Sequence, residues 1–286
     1  MSEASVVIIG LPSSGKTTFL AALWHVVTSR EIDTALSFGG LKSGNKNHLN
    51  TIARRWREAK EQDRTAVTGN RLVSINLKDD VDNVVNVTFP DVPGESYLRM
   101  WEDRDCESEI ADILREGNVL LFVHADNIRS PQWVVDEVAL SKALGLEITD
   151  NQSVPWHPKL SPTQVQLVDL LQLLRRPPLD VGKRRLAIMM SAWDKVRDEG
   201  KPPSEYVKEK LPLLWQYLDR GADAWEFRIY GLSAQGGDYD PIEKEAKSSV
   251  EAEHLRALDC ASERVQLVGT QSHTHDLTEP LKWLME

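Results

Sequence analysis

The sequence predicts an α/β fold: a doubly wound, mostly parallel sheet with one antiparallel edge strand and helical insertions. Three observations predict it. Short apolar runs such as Val6–Ile9, "NVLLFVHA" and "RRLAIMMSA" read as strands buried on both faces. Helical stretches such as "KTTFLAALWHVVTSR" and "TQVQLVDLLQLLRR" alternate with them, which is the order of a parallel sheet with crossover helices. "RLVSINL" and "VVNVTF", separated only by "KDDVDN", read as an antiparallel hairpin at the sheet edge.

Each element follows in order. Val6–Ile9 is β-branched, too short for a helix, and ends at Gly10. Phe19, Leu20, Leu23, Val26 and Val27 then recur at helical spacing. Residues 31–69 are polar, basic and glycine-dotted, with "ARRWREAKEQDR" as a short exposed helix. After the hairpin a helix is expected over Cys106–Glu116, then the strand "NVLLFVHA". "SPQWVVDEVALSKALGL" suggests a helix and "SVPWHPKLSP" a proline-punctuated loop. Pro212 should break "SEYVKEKLPLLWQYLDRG". "WEFRIYGLSA" is the last expected strand, a partly helical polar tail follows, and "DLTEPLKWLM" closes the chain as a short helix. No composition break divides the 286 residues, so one domain is expected, with insertions at about 127–160 and 238–272.

Charge and composition narrow the functional classes. Lys and Arg number 34 against 44 Asp and Glu, a net charge of −10, which disfavours nucleic acid and anionic membrane as partners. No run approaches the ~20 apolar residues of a membrane span, and the N-terminus has neither a basic region nor a cleavage site. A cytoplasmic location with Cys106 and Cys260 as free thiols is expected. His273 and His275 read as surface-loop residues.

The chemistry starts at Gly10. Gly10-Leu11-Pro12-Ser13-Ser14-Gly15-Lys16-Thr17 fulfils the pattern G-x-x-x-x-G-K-[ST], between a strand and a helix. Gly10, Ser13, Ser14 and Gly15 would turn backbone N–H groups inward around phosphate, assisted by the helix N-terminus. Lys16 would reach the β- and γ-phosphates, and Thr18 the α-phosphate. Thr17 would offer its hydroxyl to Mg²⁺, a hard cation that prefers oxygen. Asp91, at the end of the second hairpin strand, is the second candidate metal residue. Gly94 completes Asp-x-x-Gly, a switch pattern whose glycine N–H meets the γ-phosphate, although "DVPG" also suits a plain β-turn.

The base needs its own clamp. In "IMMSAWDKV", Asp194 sits just past a buried strand and can accept from guanine N1–H and the 2-amino group; a helix N-cap is the other role open to it. The backbone around Ser233 and Ala234 would meet guanine O6.

The ordered set "GLPSSGKT", "DVPGE", "SAWD" and "LSA" resembles a P-loop GTPase of the Ras-like, translation-factor-related class. "FPDVPGESY", "SAWDKV" and "TEPLKWLM" further resemble the bacterial double-GTPase proteins linked with conflict and defence gene clusters. The resemblance implies a Ras-like G domain, GTP/GDP and Mg²⁺ as ligands, a nucleotide-dependent switch, and a protein effector or second GTPase as partner. The chain departs from the usual pattern at three points. Ser191 and Ala192 replace the Asn-Lys that normally precedes the base-reading aspartate, so Trp193 or another side chain would have to stack on the base. Glu95 stands where small Ras-like GTPases often carry glutamine; it would act on water, or leave hydrolysis slow without a partner. Pro12 occupies a position that is often glycine.

A first-switch threonine is expected ahead of "RLVSINL": Thr65 or Thr68 by position, with Thr34 and Thr51 as alternatives. Arg54, Arg55, Arg57 and Arg64 are either a solvated face or the source of an arginine finger in cis. Two competing functions stay open at this level. One is a phosphotransferase using the basic "RRPPLDVGKRR" as a lid; the other is a scaffold that holds nucleotide without hydrolysing it.

Overall fold

In the computed structural model the described residues are 4–62, 71–91, 99–131, 143, 157–241, 248–269 and 272–286. Their strands are β1 (Ala4–Gly10), β2 (Ser37–Ser43), β3 (Arg71–Lys78), β4 (Val84–Asp91), β5 (Asn118–His124), β6 (Arg184–Ser191), β7 (Trp225–Ser233), β8 (Gln266–Val268) and β9 (His273–Thr274). They form one nine-stranded sheet in the order β2-β3-β4-β1-β5-β6-β7-β8-β9. The central strands β4, β1, β5, β6 and β7 pair parallel to one another.

Alternation along β1 shows why these runs are apolar throughout. Val6 and Ile8 enter one buried cluster, and Val7 and Ile9 enter another. A strand covered on both faces has no side left for polar residues. The first cluster takes in α1 (Lys16–Ser29), α2 (Lys46–Arg57), α7 (Val250–Arg256) and α8 (Glu279–Met285). The second takes in α3 (Ser108–Leu114), α4 (Thr163–Leu173), α5 (Pro203–Lys210) and α6 (Pro212–Arg220).

The hairpin β3–β4 forms as its sequence predicts, with Ile75 opposite Val87. The single antiparallel edge strand does not hold. β2 pairs antiparallel outside β3, and β8 and β9 extend the other edge antiparallel beyond β7. β2 was hidden by its glycines: "SFGGLKS" lacks β-branched residues, and its register shifts between Phe38 and Gly40 and between Leu41 and Ser43. β8 and β9, of three and two residues, are too short for alternation to mark them. His273 thus lies in β9, not in a loop.

Two helices also differ from expectation. α2 spans Lys46–Arg57, starting earlier than "ARRWREAKEQDR", because the Asn45 side chain caps it by accepting from the Asn47 and His48 amides. α1 is buried on all sides from Phe19 to Val27. α2 covers its far side, where Trp24 Nε1 donates to Asn50 Oδ1 at 2.9 Å. Pro212 does break its helix: Leu211 leaves helical geometry and separates α5 from α6. α8 is held against the start of β2, since Asp276 accepts from the Ala35 amide at 2.7 Å and Thr278 Oγ1 from the Leu36 amide at 2.9 Å. Cys106 and Cys260 are free thiols. Among the described residues no helix is long and apolar enough to cross a membrane.

Candidate nucleotide site

Parallel strands put all their carboxyl ends on one side of the sheet, and a crevice there is where such folds bind ligands. Gly10, His124, Ser191 and Ser233 end β1, β5, β6 and β7 on that side. Asp91 ends β4 there too. Val7 is level with Thr88, so Gly10 and Asp91, each three residues further on, reach the same height.

The loop after β1 has the backbone its glycines imply. Gly10 adopts φ +155°, and a Cβ on it would lie 2.7 Å from both the Phe122 carbonyl oxygen and Ser14 Oγ. Gly15 is left-handed at φ +88°, and Ser13 joins it at φ +58°. The Ser14 amide closes a turn onto the Leu11 carbonyl at 3.3 Å. α1 starts directly at Lys16 from Gly15, with no side-chain cap hydrogen bond and no acidic residue in its first turn. The N–H groups of a helix start, plus the positive end of its dipole, suit an anion. Lys16 folds over this loop: its Nζ donates to the Gly10 carbonyl at 2.8 Å, the Leu11 carbonyl at 2.9 Å and Ser14 Oγ at 3.3 Å. Thr17 and Thr18 are half-buried in the same first turn.

The second wall comes from β6. Ser191 Oγ donates to the Ser14 carbonyl at 2.9 Å, with the Val123 carbonyl at 3.4 Å. A Cβ on Gly15 would stand 3.1 Å from Ser191 Cβ and Oγ, so the Gly10–Thr17 loop rests directly on "SAWD". Ala192 turns left-handed at φ +53° and starts the 3₁₀ turn Trp193–Lys195, inside which Asp194 is half-buried. Ala192, not Asp194, holds the N-cap position of that turn.

Trp193 does not serve as a stacking platform. It is buried, packs edge-on to Tyr206 with centroids 5.3 Å apart, and lies so close over Gly231 that a Cβ there would meet its ring at 2.5 Å. The strand β7 needs glycine at that point to admit the indole.

The loop after β7 closes the site. Ser233 is buried, and its Oγ accepts from the Gly236 amide at 3.1 Å. The Ala234 carbonyl accepts from Trp56 Nε1 at 2.7 Å. Lys195 pairs with Asp238 and so joins the Asp194 turn to this loop; hydrogen bonding to Asp238 raises the Lys195 pKa above its ordinary value. A groove of about 570 Å³ borders the Asp194 turn, with Asp126, Lys195, Tyr206 and Lys210 among its walls.

The geometry thus brings Gly10, Ser13, Ser14, Gly15, Lys16, Thr17 and Thr18 together with Asp194, Ser233 and Ala234 at one end of the sheet. Asp91 joins them by backbone position; its side chain lies outside the described residues, as do Thr65, Thr68, Arg64, Gly94 and Glu95. Thr34 and Thr51 are engaged elsewhere, their hydroxyls donating to the Leu36 carbonyl at 2.9 Å and the Asn47 carbonyl at 2.8 Å. Arg54 and Arg57 are exposed on α2.

"RRPPLDVGKRR" is at the wrong end for a lid. It leads into the amino end of β6, where buried Arg184 donates to the Leu114 and Leu179 carbonyls and Arg185 to that of Trp283. The sequence reading missed Trp56 and the Ser191–Ser14 bond. Neither leaves a signal in the chain, because each depends on contacts across 178 and 177 residues.

A family model described as Double-GTPase 1 matches residues 7–284, and the chain belongs to that family. No protein of curated function matches it. Three solved structures are similar. In the signal recognition particle receptor SRb-GTP/SRX complex from Chaetomium thermophilum, the identity is 15%, the coverage 85% of this chain and 96% of that one, and the TM-score 0.41. The S. cerevisiae Ski7 GTPase-like domain bound to GDP and inorganic phosphate is 14% identical, over 90% of this chain and 50% of that one, at TM-score 0.37. The bacterial selenocysteine-specific elongation factor EF-Sec is 14% identical over 82% of this chain, at TM-score 0.34, and the match spans only 27% of that factor. Membership of the Double-GTPase 1 family supports GTP binding.

Proposed function

We propose that this member of the Double-GTPase 1 family is a Mg²⁺-dependent GTPase that works as a molecular switch. One observation carries the reading. The Gly10–Thr17 loop and the Asp194 turn lie side by side, joined by the Ser191–Ser14 hydrogen bond, so one nucleotide can reach both. The loop amides and Lys16 hold the β- and γ-phosphates, and Asp194 accepts from guanine N1–H and the 2-amino group. The Thr17 hydroxyl and the Asp91 carboxylate are hard oxygen donors that fit Mg²⁺, which supplies positive charge to the phosphate oxygens. In hydrolysis a water oxygen bonds to the γ-phosphorus as the bond to the GDP oxygen breaks, giving GDP and phosphate. Lys16 stabilises the charge on the transferring group. Thr65 or Thr68, Gly94 and Glu95 are assigned to the two switches, Glu95 as the residue acting on water.

The fold that accompanies this function is a doubly wound single domain with insertions at about 127–160 and 238–272. The switch would report to a protein effector or a second GTPase in the cytoplasm, in a bacterial defence or regulatory system. Multiple-turnover phosphate release from GTP tests the assignment. Release should require Mg²⁺ and stop in EDTA. A chain that binds GTP but releases no phosphate, alone or with a second GTPase, is a nucleotide-holding scaffold instead.

A further inference from the structure

Trp56 belongs to α2, a helix rich in arginine and without any nucleotide motif, yet it reaches the base end of the site. Its indole is fully buried. Nε1 donates to the Ala234 carbonyl at 2.7 Å, across 178 residues. The ring is held by two neighbours: the Arg264 guanidinium lies 4.7 Å from its centroid, and the His25 ring 5.0 Å away. Arg264 also donates to the Trp56 carbonyl at 2.8 Å and to the Leu255 carbonyl at 2.8 Å, fixing α2 against the end of α7. The indole has little freedom, so its hydrogen bond sets the direction of the Ala234 carbonyl.

That direction matters because the next peptide is trans. In a trans peptide the C=O and the following N–H point to opposite sides. With the Ala234 carbonyl drawn toward α2, the Gln235 amide faces away from α2. The rest of the loop is fixed as well: Ser233 Oγ holds the Gly236 amide, and Gly236 at φ +81° lies so close that a Cβ would meet the Arg264 carbonyl oxygen at 2.6 Å. The Lys195–Asp238 pair keeps the Asp194 turn beside it.

We propose that Trp56 is a specificity-positioning residue: by holding the Ala234 carbonyl it presents the Gln235 amide to the O6 atom of guanine. This deepens the guanine-binding reading and rests on it.

The test is Trp56→Phe, which keeps an aromatic ring and removes the donor. Affinities for GDP, ADP and 6-thio-GDP are measured by calorimetry. The thio analogue keeps N1–H and the 2-amino group but offers sulfur, a weak acceptor, at position 6. The native chain should bind GDP about tenfold more tightly than 6-thio-GDP, the worth of one well-placed hydrogen bond. Trp56→Phe should weaken GDP about fivefold to tenfold, leave 6-thio-GDP nearly unchanged, and so erase the discrimination. Equal loss for both nucleotides, or discrimination kept in full, overturns the role of Trp56 while leaving the guanine site standing. A native chain that binds ADP as well as GDP overturns the guanine reading itself, and this proposal with it. If Trp56→Phe does not fold, benzothienylalanine at position 56, with the indole shape but no N–H, is measured by the same criteria.

Discussion

The two ends of the candidate site are built differently. The phosphate end is local: nine residues from Gly10 to Thr18 carry the turn, the helix start, the ammonium and the hydroxyls. The base end is assembled from distant pieces. The Asp194 turn follows β6, Ser233 ends β7 and Ala234 begins the loop after it, and their geometry is set by contacts with Ser14, Trp56 and Asp238. A local site is specified by its own backbone; an assembled one is only as accurate as the packing beneath it.

Perturbing each end separately sharpens that contrast. Lys16→Ala should have the largest effect, lowering affinity for any nucleoside triphosphate about hundredfold and abolishing phosphate release, because the lost contact is to charged phosphate and blind to the base. Titration with GTP and a second triphosphate checks that both fall alike. Gly10→Ala should cost about 2–3 kcal/mol of stability, from its strained backbone and the contacts its Cβ would make with the Phe122 carbonyl oxygen and Ser14 Oγ. Denaturant unfolding of the nucleotide-free chain measures it. Ser191→Ala, which severs the link between the two ends, should cost about 1 kcal/mol in the same assay.

The smallest effect comes from the packing under the base end. His25 is buried beside Trp56, and burial lowers its pKa below the ordinary histidine value of 6.5 against the opposing pull of Glu31, 3.2 Å away. Below that value the unfolded chain takes up a proton that the folded chain resists, so stability should decline as pH falls through and below 6.5. Thermal melts from pH 8 to pH 5.5 should show this decline, and His25→Gln should flatten it.

The contrast also explains what could be read in advance. The central strands and the turn of the Gly10–Thr17 loop were legible because buried strands write continuous apolar runs and the loop writes its glycines at fixed spacing. Asp194, Ser233 and Ala234 were proposed for the base only from their order after strands. The N-cap alternative for Asp194 fell because Ala192 takes the cap, and the stacking role of Trp193 fell because Gly231 opens a slot for it in the core. β2, β8 and β9 were illegible, since glycines and two- or three-residue lengths leave no period to detect. Trp56 reads as one more core aromatic until the fold brings it to the Ala234 carbonyl.

Titration of the native chain with GTP and ATP in the presence of Mg²⁺ tests the central claim most directly, because the two nucleotides share their phosphates and differ at the base. A clamp of one carboxylate and one backbone amide predicts GTP binding at least about a hundredfold tighter than ATP. Equal affinities would leave the Gly10–Thr17 loop as a general triphosphate site and contradict the assignment of Asp194 to guanine.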